Sequence, residues 1–545
     1  MRAPSNGKKS TLFSGKILSS GMGSGKAFLY RDILGRHDEY YDIEESGVED
    51  ELDRFSRAVT KVSDDLGVLV DRVSREMDDT LSDIFSAHIA MVKDPSLTAE
   101  VQKEITEELL SAGSAVKMVF RRWERRFQRM ELEVAKHKAD DVRDLARRLI
   151  SSLAGVRGHS LENLQEGSIL IARRLLPSDT VYLARKNASG TILEHGGIGS
   201  HAALFAREIG IPCIAGIPNI LETVPEGTFT LVDADSGKII INPDQRQQSA
   251  FNSKSKKLSQ DRRLARNSAR QPAVTKAGQT IGVFANVACV DDTQKAVDNG
   301  ADGIGLYRIE QVFLGRQTPP DVSELVQEIT KVLEPAKHLA ITVRLLDAGA
   351  DKPLPYMESL REANPALGQR GIRFLQAYPD LLRSQLEALL QLSTEFDLRI
   401  LVPMVTLPED IKIVKQQLSE LTAGSGIALP KLGAMIETPA AALSLREISS
   451  HVDFMSFGTN DLTQYMFAAD RENAAVERYF DDAHEAIFRV FEIAHQDLPD
   501  AQFSVCGELA GRVNSVEKLL HNGVTTLSVA PPLIPSIKQA IRQLS

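Results

Sequence analysis

From Ala273 to Ser545 the chain repeats one arrangement: a short apolar, β-prone run, a polar turn, then a stretch with helical periodicity. The runs are "TIGVFANVA", "GIGLYRIE", "LAITVRLLDA", "LRILVPMV", "KLGAMIE", "VDFMSFGTND", "FSVCGE" and "TTLSVAP". Helical sequence such as "VDDTQKAVDNG" and "AIFRVFEIAHQ" lies between most of them. Eight strands in roughly 250 residues is the content of a (β/α)8 TIM barrel. A doubly wound open sheet is the alternative.

A barrel makes a sharp demand on the sequence, because its functional groups sit at the carboxyl ends of the strands and in the loops that follow. The runs comply. Arg308 and Glu310 close the second, Arg344 and Asp347 the third, Glu437 the fifth, Asn460 and Asp461 the sixth, Cys506 and Glu508 the seventh. Glu437 and Asp461 suit a Mg²⁺ ion that keeps positions open for substrate oxygens and waters. Arg308, Arg344 and Arg471 offer planar donors for phosphate and carboxylate. The expected substrate is a small, highly anionic phosphorylated acid.

The first half reads differently. From about Val48, Leu52, Phe55, Val59, Val62, Leu66, Leu69 and Val73 recur at alternating spacings of three and four, the stripe of an amphipathic helix. Helical sequence continues to about Leu153, enough for roughly four helices. Its basic run "RRWERRFQR" is flanked by acidic residues and reads as a solvated helix face. After Gly155 short apolar runs return, and "TFTLVD" and "KIIINP" around the turn "DADSG" predict a hairpin. "SSGMGSGKAF" imitates a phosphate loop, but Ser20 stands at the first glycine position and Ala27 at the magnesium-binding hydroxyl. It reads as a glycine-rich turn before a strand "KAFLY". "GGIGSHAALFAREIGIP" presents His201 between a glycine-rich approach and a helix start. The polar, basic stretch "DQRQQSAFNSKSKKLSQDRRLARNSARQP" predicts a largely helical linker.

A net charge of -10 argues against a nucleic-acid coat and suits a soluble protein that meets a cationic partner. No apolar run reaches the length of a membrane span, and no signal-like stretch follows the basic start. Cys213, Cys289 and Cys506 have no paired spacing, so a reducing, cytoplasmic setting is expected.

"GLYRIE", "RLLDAGADKPLPYM", "NPALGQRGIRF", "MIETPAA", "SFGTNDLTQY", "AADREN" and "CGELAG" resemble the barrel motifs of enzyme I, the phosphoenolpyruvate-protein phosphotransferases of the bacterial phosphotransferase system. "GGIGSHAALFAREIGIPCIAG" resembles that family's phosphohistidine segment, and the likeness runs through nearly the whole chain in the same order. It implies a multidomain α/β protein: a swivelling phosphohistidine domain over residues 1–32 and 156–245, an inserted helical bundle over 33–155 that docks the phosphocarrier HPr, a linker helix over 246–272, and a barrel over 273–545 that binds phosphoenolpyruvate and forms a homodimer. By the same likeness His201 matches the phosphorylated histidine. Arg308, Arg344, Arg471 and Asn460 match positions holding the substrate phosphate, Arg370 one near its carboxylate, Glu437 and Asp461 the Mg²⁺ ligands, and Cys506 the acid that protonates the enolate.

The chain departs from the family at Gly199, where a threonine is usual, and at Ile309 and Gln311 beside Arg308. These departures keep a second reading open, a degenerate sensor of phosphoenolpyruvate. A phosphoenolpyruvate synthase-type relative is a third reading, disfavoured because such enzymes need a separate nucleotide-binding domain.

Overall fold

A computed structural model describes residues 10–31, 40–76, 79–128, 133–155, 160–196, 210–314, 316–349, 362–424, 426–471 and 476–545, with Ala203, Ala206, Arg207, Leu354, Tyr356, Met357 and Asn473 between them. Its contacts divide the chain into two compact units, Met1–Lys256 and Lys257–Ser545. The division falls inside the helix Gln245–Asn267, in the stretch expected to be a helical linker.

The first unit is built on a mixed sheet. Its strands are β1 (Thr11–Ser14), β2 (Lys16–Ser19), β3 (Met22–Tyr30), β4 (Ile169–Ala172), β5 (Gly190–Leu193), β6 (Cys213–Ala215), β7 (Phe229–Asp233) and β8 (Lys238–Ile241), in the order β1-β8-β7-β3-β4-β5-β6-β2. β7 and β8 form the antiparallel hairpin the "DADSG" turn predicts. The glycine-rich "GMGSGK" differs from expectation: it belongs to β3 itself, pairing with β7 on one side while the following residues pair with β4 on the other. The reason is close approach. A Cβ on Gly23 would lie 1.8 Å from the Ser189 carbonyl oxygen, and one on Gly25 would lie 2.0 Å from that of Gly167.

Between β3 and β4 the described residues form five α-helices, against an expectation of roughly four: α1 (Val48–Glu76), α2 (Asp79–Val92), α3 (Pro95–Thr106), α4 (Ala112–Gln128) and α5 (Glu133–Leu153). Asp94 starts α3 sharply, accepting from the backbone N–H groups of Ser96 and Leu97 at 2.8 and 3.2 Å, with Pro95 in the first turn. The bundle core is Phe55, Val62 and Leu66 of α1 against Phe85, Val101, Val116, Phe120, Leu145 and Leu149. The basic run on α4 carries ion pairs, as Arg122 to Glu104 at 2.6 Å.

A buried polar cluster ties α5 to the sheet side. Arg147 reaches Asp144 at 2.8 Å and Asp179 at 2.7 Å, the latter on the helix α6 (Pro177–Arg185). Arg147 also donates to the hydroxyls of Tyr30 and Ser178. His88 of α2 stands 3.0 Å from Asp141. Polar groups placed out of water cost free energy unless matched, and Arg147 is matched by Asp144 and Asp179, while Nδ1 of His88 is buried without a hydrogen-bond partner.

The second unit closes into a barrel. Its strands β10 (Thr280–Val287), β11 (Gly303–Arg308), β12 (Ala340–Arg344), β13 (Leu398–Val402), β14 (Lys431–Ile436), β15 (Phe454–Phe457), β16 (Phe503–Val505) and β17 (Val524–Val529) follow the eight apolar runs, the last starting one residue before its run. Each pairs parallel with the next, and β10 pairs with both β11 and β17, which excludes the open sheet. A short strand β9 (Ala273–Val274) runs antiparallel to β10. The two ends of this unit are tied together: Arg542 donates to the carbonyls of Ser268, Gln271 and Pro272 at 2.7, 2.6 and 3.1 Å. Among the described residues no helix is long and apolar enough to cross a membrane.

Candidate active site at the carboxyl end of the barrel

Parallel closure brings the carboxyl ends of all eight strands to one rim. There Arg308 ends β11 and Arg344 ends β12, and the two are register partners on adjacent strands. Arg308 is exposed, whereas Arg344 is buried.

The buried charges form an alternating chain. Arg344 pairs with Glu310 at 2.6 Å and Asp347 at 3.2 Å. Asp347 also takes Arg370 at 2.9 Å, and Arg370 reaches across to Asp461 at 3.1 Å. Asp461 then meets Arg471 at 3.7 Å. Burial works against the charge on Arg344, but the carboxylates of Glu310, Asp347 and Glu437 outweigh it and hold the guanidinium charged. Its Nε is buried without a hydrogen-bond partner, a donor left over beside the rim.

Glu437 follows β14 and is buried, its Oε1 accepting from the Met404 N–H at 2.6 Å. Met404 adopts a left-handed φ of 55°, an uncommon conformation for a residue with a side chain. Gly458 makes room on the other side: a Cβ there would come within 2.7 Å of Glu437 Oε2. Burial, and then the neighbouring Asp461 and Asp347, push the Glu437 carboxyl up to about 8 despite Arg344 and Arg370. Crowded carboxylates of this kind are relieved by a cation, and an all-oxygen pair such as Glu437 and Asp461 fits the ligand preference of Mg²⁺. Among the described residues no group of three or more His, Cys, Asp or Glu side chains converges as a closed metal cage.

Cys506 follows β16 and packs inside the barrel with Leu306, Leu401 and Met435. Its Sγ lies 3.5 Å from the Phe457 carbonyl, and burial pushes the thiol up to about 11, so it carries its proton at neutral pH. Asn460, at the start of the helix Thr459–Phe467, accepts from the Glu508 N–H at 2.9 Å. Ile309 is buried, packed within the barrel core.

The structure therefore brings Arg344, Arg370, Asp461 and Arg471 into one ion-paired chain with Glu437 beside it, and sets Arg308, Asn460 and Cys506 on the same rim. His201 and Gly199 lie outside the described residues. Two residues escape a reading from the sequence. Tyr465 donates to the Ala366 carbonyl at 2.5 Å and stands 3.5 Å from Arg370, and its signal is its place one helical turn after Asp461. Asn286 donates to the carbonyls of Cys506 and Ser528 at 3.0 and 3.1 Å, and it is polar at the end of the first strand, where the rim argument also applies.

A parallel barrel with this polar rim, beside a unit carrying a mixed sheet and inserted helices, defines a class of multidomain α/β enzymes that handle phosphorylated acids. Three family models match in order: "PEP-utilising enzyme, N-terminal" over residues 14–138, "PEP-utilising enzyme, mobile domain" over 164–237, and "PEP-utilising enzyme, PEP-binding domain" over 262–545. A phosphoenolpyruvate-protein phosphotransferase of Haloferax volcanii is 35% identical over 503 residues, covering 90% of this chain and 87% of the relative. Relatives of that name from Staphylococcus epidermidis and Bacillus subtilis are each 32% identical, covering 98% and 92% of this chain and 95% and 89% of their own. The chain belongs to the phosphoenolpyruvate-protein phosphotransferase family.

Proposed function

We propose that the chain takes the phosphoryl group of phosphoenolpyruvate onto His201, passes it to a histidine of the carrier HPr, and releases pyruvate. The observation that carries this reading is the alternating chain from Glu310 to Arg471, with the unpartnered Nε of Arg344 at the rim. In this reading Arg308, Arg344, Arg471 and Asn460 hold the substrate phosphate and Arg370 its carboxylate. Their own acids fix the guanidiniums in place, so orientation is set before the substrate arrives.

Glu437 and Asp461 would hold Mg²⁺, which when bound offsets the charge of the moving phosphoryl group. The His201 imidazole attacks phosphorus through its lone pair; the P–N bond forms as the bond from phosphorus to the enol oxygen breaks, and pyruvate enolate leaves. Cys506 gives its proton to the enolate methylene carbon, producing pyruvate, and regains one from water. Its raised pKa keeps the acid form available.

The same reading divides the chain as the family does: residues 1–32 and 156–245 carry His201, 33–155 dock the carrier, 246–272 link, and 273–545 bind the substrate and dimerise. A cytoplasmic setting agrees with three free cysteines. The test is incubation with labelled phosphoenolpyruvate and Mg²⁺. Acid-labile, base-stable label is expected on the protein and absent from His201→Ala, which should still bind the substrate within a few-fold. Base-stable label retained on that variant moves the nucleophile elsewhere, with His195 next to examine.

A further inference from the structure

Asn286 is the next-to-last residue of β10, and its side chain reaches past β17 to the end of β16. β17 lies between those two strands in the barrel, so no backbone ladder joins them. The amide makes the link instead. Its Nδ2 donates to the Cys506 carbonyl at 3.0 Å and to the Ser528 carbonyl at 3.1 Å, while its Oδ1 accepts from the Ser528 hydroxyl at 2.7 Å.

These partners leave the amide a single orientation. Carbonyl oxygens only accept, so both require the NH2 group, and the hydroxyl, which can donate, is left for Oδ1. Ser528 is 1% exposed, and space is kept for its hydroxyl: a Cβ on Gly305 of β11 would lie 2.3 Å from Ser528 Oγ. A side chain there would displace the group that aims Asn286.

What the amide holds is the backbone of Cys506. That residue stands one position beyond β16, and the residue after it is Gly507, which has no Cβ to restrict the chain. On one side the Cys506 N–H donates to the Phe457 carbonyl at 3.0 Å; on the other its carbonyl is held by Asn286. Fixing the peptide groups on both sides of one Cα fixes both soft dihedrals, and with them the direction of the bond that carries the thiol.

We propose that Asn286, aimed by Ser528, is a positioning residue for the reaction: it sets the Cys506 backbone so that the thiol faces one side of the enolate and delivers its proton to that face. The inference rests on Cys506 being the acid that protonates the enolate. In that step the S–H bond breaks as a C–H bond forms at the methylene carbon, and the thiolate regains a proton from water. In such a geometry a misplacement of about 1 Å costs on the order of a hundredfold in rate.

The test uses the full chain in excess over phosphoenolpyruvate, with Mg²⁺ in tritiated water, and substrate carrying one deuterium of defined geometry on its methylene carbon. Protonation from one face gives pyruvate whose methyl group, with one each of the three hydrogen isotopes, has a single handedness; protonation by solvent from both faces gives a mixture. The unsubstituted chain should give a single hand. Asn286→Ala should form pyruvate about tenfold more slowly or worse, bind phosphoenolpyruvate within about threefold of normal, and yield both hands. Ser528→Ala keeps the amide but frees it to turn, so it should shift rate and handedness the same way by less. It carries the test if thermal melts show Asn286→Ala to be unfolded. Cys506→Ala should also yield both hands. A single-handed product from Cys506→Ala, or a mixture from the unsubstituted chain, would overturn the thiol as the acid. Both hands from Cys506→Ala beside a single hand from the folded Asn286 and Ser528 variants would keep the acid and overturn the positioning role.

Discussion

Arg370 and Asp461 meet at 3.1 Å beneath the barrel rim, joining a residue from the segment after β12 to one from the helix after β15. Arg370 holds Asp347 at the same time, so a single guanidinium, 2% exposed, balances two buried carboxylates. Arg370→Ala would leave both acids without their main counter-charge. The expected loss is about 3 kcal/mol or more of stability, in the range for breaking a buried pair from one side. Urea unfolding of the variant measures it, and a loss under about 1 kcal/mol would show that the pair contributes position only.

Glu437 predicts a pH dependence of definite sign. Its folded-state pKa is raised to about 8, so without metal the folded chain holds a proton that the unfolded chain has released. That contribution to stability is present below the ordinary carboxyl range and is lost as pH rises toward 8. Magnesium competes with the same proton, so apparent Mg²⁺ affinity should rise over that window and level off above it. Melting temperatures between pH 5 and 9, with chelator and with Mg²⁺, test both halves. Glu437→Gln should flatten both slopes, and slopes unchanged in that variant would assign them to another group.

Cys506 and Arg344 should separate chemistry from binding. Cys506→Ala is expected to bind phosphoenolpyruvate normally and to lose pyruvate formation by about a hundredfold or more, the usual scale for a missing general acid. Arg344→Ala should weaken binding as well. Equal loss of binding in both variants would mean that the thiol merely fills the space among Leu306, Leu401 and Met435.

Asp144 should respond to acid in the opposite direction from Glu437. Burial works against its charge, yet Arg148, Arg147, His88 and Ser178 together hold its pKa well below the usual carboxylate range. Its contribution is therefore complete above the ordinary aspartate pKa and is lost as pH falls through the depressed one. Asp144→Asn should reduce stability at pH 7 and reduce the extra loss on acidification. Circular dichroism melts at pH 7 and pH 3 compare the two, and identical acid losses would move the effect to another carboxylate of that cluster.

The barrel is legible from sequence because each strand is a short apolar run bounded by turn residues, and because polar groups such as Arg344 and Glu437 repeat at one end of those runs. Strand ends are local features. Arg370 is harder: it ends no apolar run, and its partners Asp347 and Asp461 are 23 and 91 residues away, so resemblance alone singles it out in the sequence. Tyr465 and Asn286 act through carbonyls of distant segments, a kind of contact that leaves no periodic trace. Gly23 and Gly25 show the converse difficulty, since glycine-rich sequence signals a turn, and only the neighbouring carbonyls reveal why a strand should contain it. The break before α3 depends on a cap, Asp94, which the hydrophobic stripe does not show.

The hydrogen bonds from Arg542 to Ser268, Gln271 and Pro272 hold the entry and exit of the barrel unit side by side. With β10 paired to β17, the barrel also has no seam at which first and last strands separate. Such a unit is suited to circular permutation: a short peptide could join Ser545 to the start of the unit, and a new opening could be cut at a loop on the end of the barrel away from the rim. The permuted protein would keep every strand neighbour while exchanging which segment leaves the ribosome first, so the order of synthesis could be separated from the architecture it produces.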